Sequence, residues 1–163
     1  MFKKYLEVND YNDNLLCYNS IIELNIIKLI KKNNYKYKYL PKIYNINSEE
    51  NYYEIEELDF DKQIGDKKKF LENIENCIKN LNKLNIIYID LHKANIGYSN
   101  KDKTWKIVDF NMSGICTPNK QSWMMEPPNG NIYNKIKNLI GNSLLTNYDI
   151  ISYLLFESSI LSS

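Results

Sequence analysis

The stretch from Ile86 to Ile115 constrains this chain more than any other. Within it, Ile96-Gly97-Tyr98 and Trp105-Lys106-Ile107-Val108 flank the polar segment Asn100-Lys101-Asp102-Lys103-Thr104, a pattern that predicts two short strands joined by a turn. Closing that hairpin returns the loop with Asp90 and Asn95 to the side of Asp109, which directly follows Ile107-Val108. Asn95 and Asp109 supply hard oxygen donors of the kind Mg²⁺ accepts while keeping waters and substrate phosphate as its other ligands. Asp90 is then left to orient a hydroxyl nucleophile. A base, an amide and a metal-binding acid on one short hairpin are the parts that phosphoryl transfer needs.

The same residues resemble the catalytic and metal-binding loops of the protein-kinase-like superfamily, whose pattern is His-Arg-Asp-Leu-x-x-x-x-Asn, then a hairpin, then Asp-Phe-Gly. Here Tyr88-Ile89-Asp90 stands in place of His-Arg-Asp, Asn95 keeps its position, and Asp109-Phe110-Asn111 replaces Asp-Phe-Gly. Asp90-Leu91-His92-x-x-Asn95 is similar to haspin-type kinases, to kinase-like proteins of large DNA viruses, and to small-molecule kinases of the aminoglycoside and choline type. The resemblance implies one α+β domain over residues 1–163 with a two-lobed, kinase-like fold. Residues 1–58 would form a reduced N-terminal lobe of one strand, one helix and two strands. Residues 59–163 would form a truncated, mostly helical C-terminal lobe, with a catalytic loop at 86–98 and a metal-binding segment at 107–115. ATP and Mg²⁺ are the implied cofactors, with Asn95 and Asp109 as metal ligands, Asp90 as catalytic acid–base group, and His92 or Lys93 neutralising the transferred phosphate.

The remaining segments are read in order. Met1 to Val8 suits a short strand, and the polar run from Tyr11 to Asn19 suits a loop. Ser20 to Lys32 predicts an amphipathic helix, with Ser20 as cap, Glu23 at the capping-box position, and Ile22, Ile26, Leu29 and Ile30 at helical spacing. Kinases pair a strand Lys with a helix Glu, and the Lys contacts nucleotide phosphates. By resemblance, Lys3 or Lys4 would pair with Glu23. Tyr35 to Tyr39 reads as a solvated turn or strand. Leu40 to Ile46 and Tyr52 to Leu58 read as strands around a turn at 47–51, and the backbone of Glu56, Glu57 and Leu58 would be the hinge that bonds adenine. Asp66 to Leu84 is the strongest helix, with Phe70, Ile74, Cys77, Ile78, Leu81 and Leu84 on one stripe and Asn85 as its stop. Pro118, Pro127, Pro128 and Gly130 make Cys116 to Asn131 irregular, Ile132 to Ile140 suits a short helix, and Tyr148 to Glu157 a buried one. Asp149, in the first turn of that last helix, resembles the large-lobe Asp that bonds the catalytic-loop backbone.

Composition narrows the function classes. The 163 residues, 44% hydrophobic and 25% charged, are enough for a globular domain with a core. A net charge of +1 gives no reason to expect a nucleic-acid or membrane partner. Every basic residue is Lys, and with abundant Asn, Ile and Tyr this matches an AT-rich coding bias; a viral source is inferred from that and from compactness. Cys17, Cys77 and Cys116 show no metal or disulfide spacing, and no leader or membrane span is visible, so an intracellular, cytoplasmic setting is expected.

Departures from the family pattern leave three functions open. No glycine-rich loop precedes or follows Lys3 and Lys4, and the helices that normally follow the Asp149 helix are missing. Ile89 in place of Arg removes the group that would pair with a phosphorylated activation loop. Asn111 in place of Gly still tolerates left-handed backbone. The first reading is a Mg²⁺- and ATP-dependent protein Ser/Thr kinase. The second is a pseudokinase that binds and regulates a partner kinase. The third is a small-molecule kinase, opposed by Asn111, where that family carries a second acid. Oligomeric state is left open.

Overall fold

In Phe2–Tyr5 the side chains at alternate positions face opposite sides, and this strand, β1, opens the structure. The computed structural model describes residues 1–9, 11–115 and 147–163. After β1 comes a small hairpin of β2 (Val8–Asn9) and β3 (Asn12–Leu16), closed where the Cys17 amide donates to the Glu7 carbonyl at 3.2 Å. This corrects the loop expected over Tyr11 to Asn19. The Asn and Asp side chains there have weak strand propensity, but the neighbouring segment supplies backbone partners and decides the outcome.

Helix α1 (Tyr18–Asn33) starts before the expected cap. Its N-cap is Cys17, with no side-chain cap bond, and Ser20 is buried in the first turn with Oγ 3.2 Å from the Cys17 sulfur. The hairpin closure sets where the helix begins, so a local capping box is not what fixes it. The helix buries Ile22, Ile26, Ile27 and Ile30. Strands β4 (Ile43–Asn47) and β5 (Tyr52–Ile55) follow, joined by a turn at 48–51, and the sheet order is β1-β5-β4, antiparallel throughout. β1 is therefore an edge strand. Residues 1–58 hold one more hairpin than the strand, helix and two strands expected.

The extended connector from Glu56 leads to α2 (Lys67–Lys83), whose N-cap Asp66 accepts from the Lys69 amide at 3.0 Å. At its other end Asn85 takes φ 60°, the left-handed stop that Asn tolerates. Phe70, Ile74, Cys77, Ile78 and Leu81 are all buried, as the stripe predicts. Phe70 meets Trp105 edge-on at 5.0 Å and Phe156 at 6.0 Å, which joins α2 to the following hairpin and to the last helix. Then come β6 (Ile86–Ile87), a 3-10 turn at Lys93–Asn95, the hairpin β7 (Ile96–Ser99) and β8 (Thr104–Ile107), and β9 (Gly114–Ile115), which pairs back with β6. Helix α3 (Asn147–Leu161) closes the described chain. The fold is mixed α+β, and one apolar cluster runs from α1 and β5 through α2 to α3. The expectations for Cys116, the proline-rich segment and the helix at 132–140 lie outside the described residues. No helix among the described residues is long and apolar enough to cross a membrane.

Candidate functional site

The β7–β8 hairpin returns Val108, the neighbour of Asp109, to the side of Asn95. The Asn95 and Val108 backbones meet directly, the Val108 amide donating to the Asn95 carbonyl at 2.8 Å. Tyr88 adds a second tie: its hydroxyl donates to the Val108 carbonyl, and its ring stands edge-on to Phe110 at 5.6 Å. Burial pushes the Tyr88 hydroxyl far above its usual range, so it stays protonated and able to donate. The loop at 86–98 and the segment at 107–115 are thus one cross-tied unit.

Within that unit the Asn95 amide donates to the Asp90 carbonyl at 3.0 Å and to its carboxylate at 3.1 Å. Both neighbours are acceptors, so the Asn95 amide nitrogen faces them. The other Asp90 oxygen lies 3.5 Å from His92 Nε2, and His92 is half-exposed. Lys93 is exposed on the 3-10 turn. The Asp90 loop rests on Asp149, whose buried carboxylate accepts from the Tyr88 and Ile89 amides at 2.9 Å each and from Asn82 Nδ2 at 2.8 Å. Ser152 Oγ donates to the Ile89 carbonyl at 3.0 Å. These bonds hold Ile89 at φ 68°, a left-handed backbone that a β-branched residue adopts only under constraint; Asp109, at φ 65°, is the second such residue in the site.

The first strand completes the arrangement. Lys4 Nζ lies 2.6 Å from Glu23 Oε1 and 2.9 Å from Asp109 Oδ1, joining β1, α1 and the segment that follows β8. Burial lowers the Lys4 pKa, but Glu23 and then Asp109 outweigh it and hold the ammonium above the ordinary lysine range. Lys3 is not in this group: its ammonium sits 4.5 Å over the Tyr52 ring, on the opposite face of β1. Glu23 makes no capping box. It is buried, and its Oε1 also accepts from the Tyr53 hydroxyl at 2.8 Å.

A cavity of about 480 Å³ lies against these groups, lined by Phe2, Lys4, Tyr53, Ile55, Glu56 to Leu58, Phe60, Ala94, Asn95, Val108 and Asp109. The connector residues contribute unequally. The Glu56 side chain is tied to Lys106 Nζ at 2.5 Å, to Ser99 Oγ at 3.1 Å and to the Lys42 amide at 2.9 Å. The Glu57 side chain is exposed. Leu58 is buried, and neither of its backbone polar groups is hydrogen-bonded among the described residues. A backbone donor and acceptor without protein partners, beside a cavity, are groups that a ligand or water can satisfy.

The donor set suits Mg²⁺ chemically. Asp109 offers a carboxylate and Asn95 an amide oxygen, whereas no group of three or more His, Cys, Asp or Glu among the described residues is arranged to hold a metal alone. Mg²⁺ is commonly held through one or two protein oxygens, with water and phosphate as its other ligands.

Tyr53, Lys106 and Phe2 were not singled out from sequence. Tyr53 lay in a correctly read strand, and alternation with Ile55 was the one available sign that it faces the cavity. Lys106 sits between Trp105 and Ile107 in a strand buried on both faces, where only the acids Glu56 and Asp102 make a lysine tolerable. No family model matches this chain, and no curated protein matches it.

Proposed function

We propose that the chain is a Mg²⁺- and ATP-dependent phosphotransferase with a two-lobed, kinase-like arrangement, acting on Ser or Thr hydroxyls of a protein substrate. The observation that carries this reading is Lys4. Its ammonium bridges Glu23 and Asp109, groups 19 and 105 residues away, beside a cavity that also holds Asn95. Cations are held this way between two acids where a polyanion is to be received, because the ammonium can exchange one carboxylate for a phosphate oxygen without being left unpaired. Asp109 and the amide oxygen of Asn95 would hold Mg²⁺, which when bound neutralises phosphate charge. Asp90 would orient the attacking hydroxyl and take its proton, steadied by the Asn95 amide on one oxygen and by His92 beside the other. His92 and Lys93, at the rim, would offset charge on the transferred group. The Leu58 backbone would meet the base.

The test is a thermal-shift titration with ATP, with and without Mg²⁺, on the wild type and Asp109→Ala. A ligand specific to the native state raises stability by about 2.7 kcal/mol at a hundredfold excess over its dissociation constant. A Mg²⁺-dependent shift lost in the variant supports the reading, and no shift at saturating ATP overturns it. A second reading, a pseudokinase that binds a partner kinase, is favoured by one observation: β1 is the edge of its sheet, so no further strand roofs the cavity among the described residues. Partner binding unchanged by Asp90→Ala would distinguish it.

A further inference from the structure

We infer that the cavity selects purine nucleotides by stacking on Phe2 and Phe60, and that it accepts the guanine base as well as adenine; this rests on the nucleotide reading above. Phe2 precedes Lys4 by two positions on β1, so both point to the cavity face, and both line it. Phe2 is 59% exposed and Phe60 51% exposed, although each borders the same cavity as Leu58 and Val108. Two aromatic rings left in water at one apolar mouth are a platform for a flat heterocycle, since every base presents a face that stacks.

The polar groups divide the cavity into two ends. Lys4, Asn95 and Asp109 carry charge or metal-binding oxygen at one end. At the connector end the Glu56 carboxylate is consumed by Lys106, Ser99 and the Lys42 amide, and the Glu57 side chain is exposed. Leu58 remains, offering one backbone donor and one backbone acceptor. Adenine and guanine each present a donor beside an acceptor on their Watson–Crick edge, in opposite order. A single backbone donor–acceptor pair fits either, provided the guanine ring is turned over, which reverses the order of its donor and acceptor. With no connector side chain to read the exocyclic group, discrimination falls to the stacked area, which is larger for a purine than for a pyrimidine.

The experiment is competition for a fluorescent ATP analogue in the presence of Mg²⁺, using ATP, GTP and CTP on the wild type, Phe2→Ala, Phe60→Ala, Phe2→Trp and Tyr5→Ala. GTP should compete within about fivefold of ATP, with CTP weaker. Phe2→Ala and Phe60→Ala should each weaken both purines by about fivefold or more. Phe2→Trp should retain binding, which separates loss of the flat face from loss of the fold. Tyr5→Ala, on the opposite face of β1 against Tyr52, should leave affinity unchanged. Wild-type binding of ATP that is insensitive to Phe2→Ala, or that excludes GTP, overturns this inference while leaving the nucleotide site intact. Absence of binding by the wild type overturns both.

Discussion

Replacing Asp149 with Ala removes the acceptor under the Asp90 loop, and the size of the effect follows from its partners. The side chain is 1% exposed and accepts from the Tyr88 and Ile89 amides and from Asn82. Asn82 keeps a second acceptor, the Ile86 carbonyl at 2.9 Å, so it is not orphaned. The two amides are buried, and each loses its partner at about 1–3 kcal/mol. One term opposes this. Burial raises the Asp149 pKa despite its three donors, so the carboxylate is held at some expense and its removal relieves part of the loss. A net destabilisation of about 2–4 kcal/mol follows, read as a lower urea midpoint with unchanged slope. The loss should reach function too, because Ile89 at φ 68° is held by this bond and would relax, moving Asp90. Nucleotide affinity in Asp149→Ala should then fall less than activity does, since the cavity lining omits Asp90. A stability loss under about 0.5 kcal/mol would mean that the loop holds its shape without the anchor, and the reasoning would be refuted.

Two further predictions concern the connector. Lys106 is fully buried between Glu56 and Asp102, so Lys106→Met strands a buried carboxylate and should cost about 3–5 kcal/mol in chemical denaturation, partly restored by adding Glu56→Gln. Burial of the Asp102 carboxyl is outweighed by Lys106 and Lys42, which hold its pKa below the usual carboxylate range; its pairing contributes fully above the unfolded value and is lost as pH falls through the lower folded one, so Lys106→Met should show a flatter acid limb. In β7, a Cβ on Gly97 would stand 2.6 Å from the Leu58 Cβ, so Gly97→Ala must displace the connector; calorimetry should show about 1–3 kcal/mol lost on melting and weaker ATP binding.

What the sequence made legible was local. The hairpin at 96–107, the stripe and both ends of α2, and the loop from Asp90 to Asn95 are each specified by residues within a few turns of one another, so pattern and turn chemistry suffice. The β2–β3 hairpin was misread because Asn12, Asp13 and Asn14 carry no strand signal and only a partner segment makes them one. Ser20 and Glu23 satisfy a capping pattern by spacing, but Glu23 is decided by Lys4 and Tyr53, which arrive from other elements. Spacing alone likewise left Lys3 and Lys4 equivalent; strand alternation separates them only once the sheet is known to have the cavity on one face. The pairing of Lys106 with Glu56 spans 50 residues and leaves no local trace.

The bridge from Lys4 to Asp109 also has a consequence for the order of events during synthesis. The cation belongs to β1, and its second partner lies 105 residues later. The ribosome has therefore delivered the sheet, both helices α1 and α2 and the hairpin before this ion pair can close, and the ordering of so long a loop must already have been met by the core. Until then the ammonium rests on Glu23 alone. A nascent chain stopped before Asp109 would have only one of the two carboxylates that pair with Lys4.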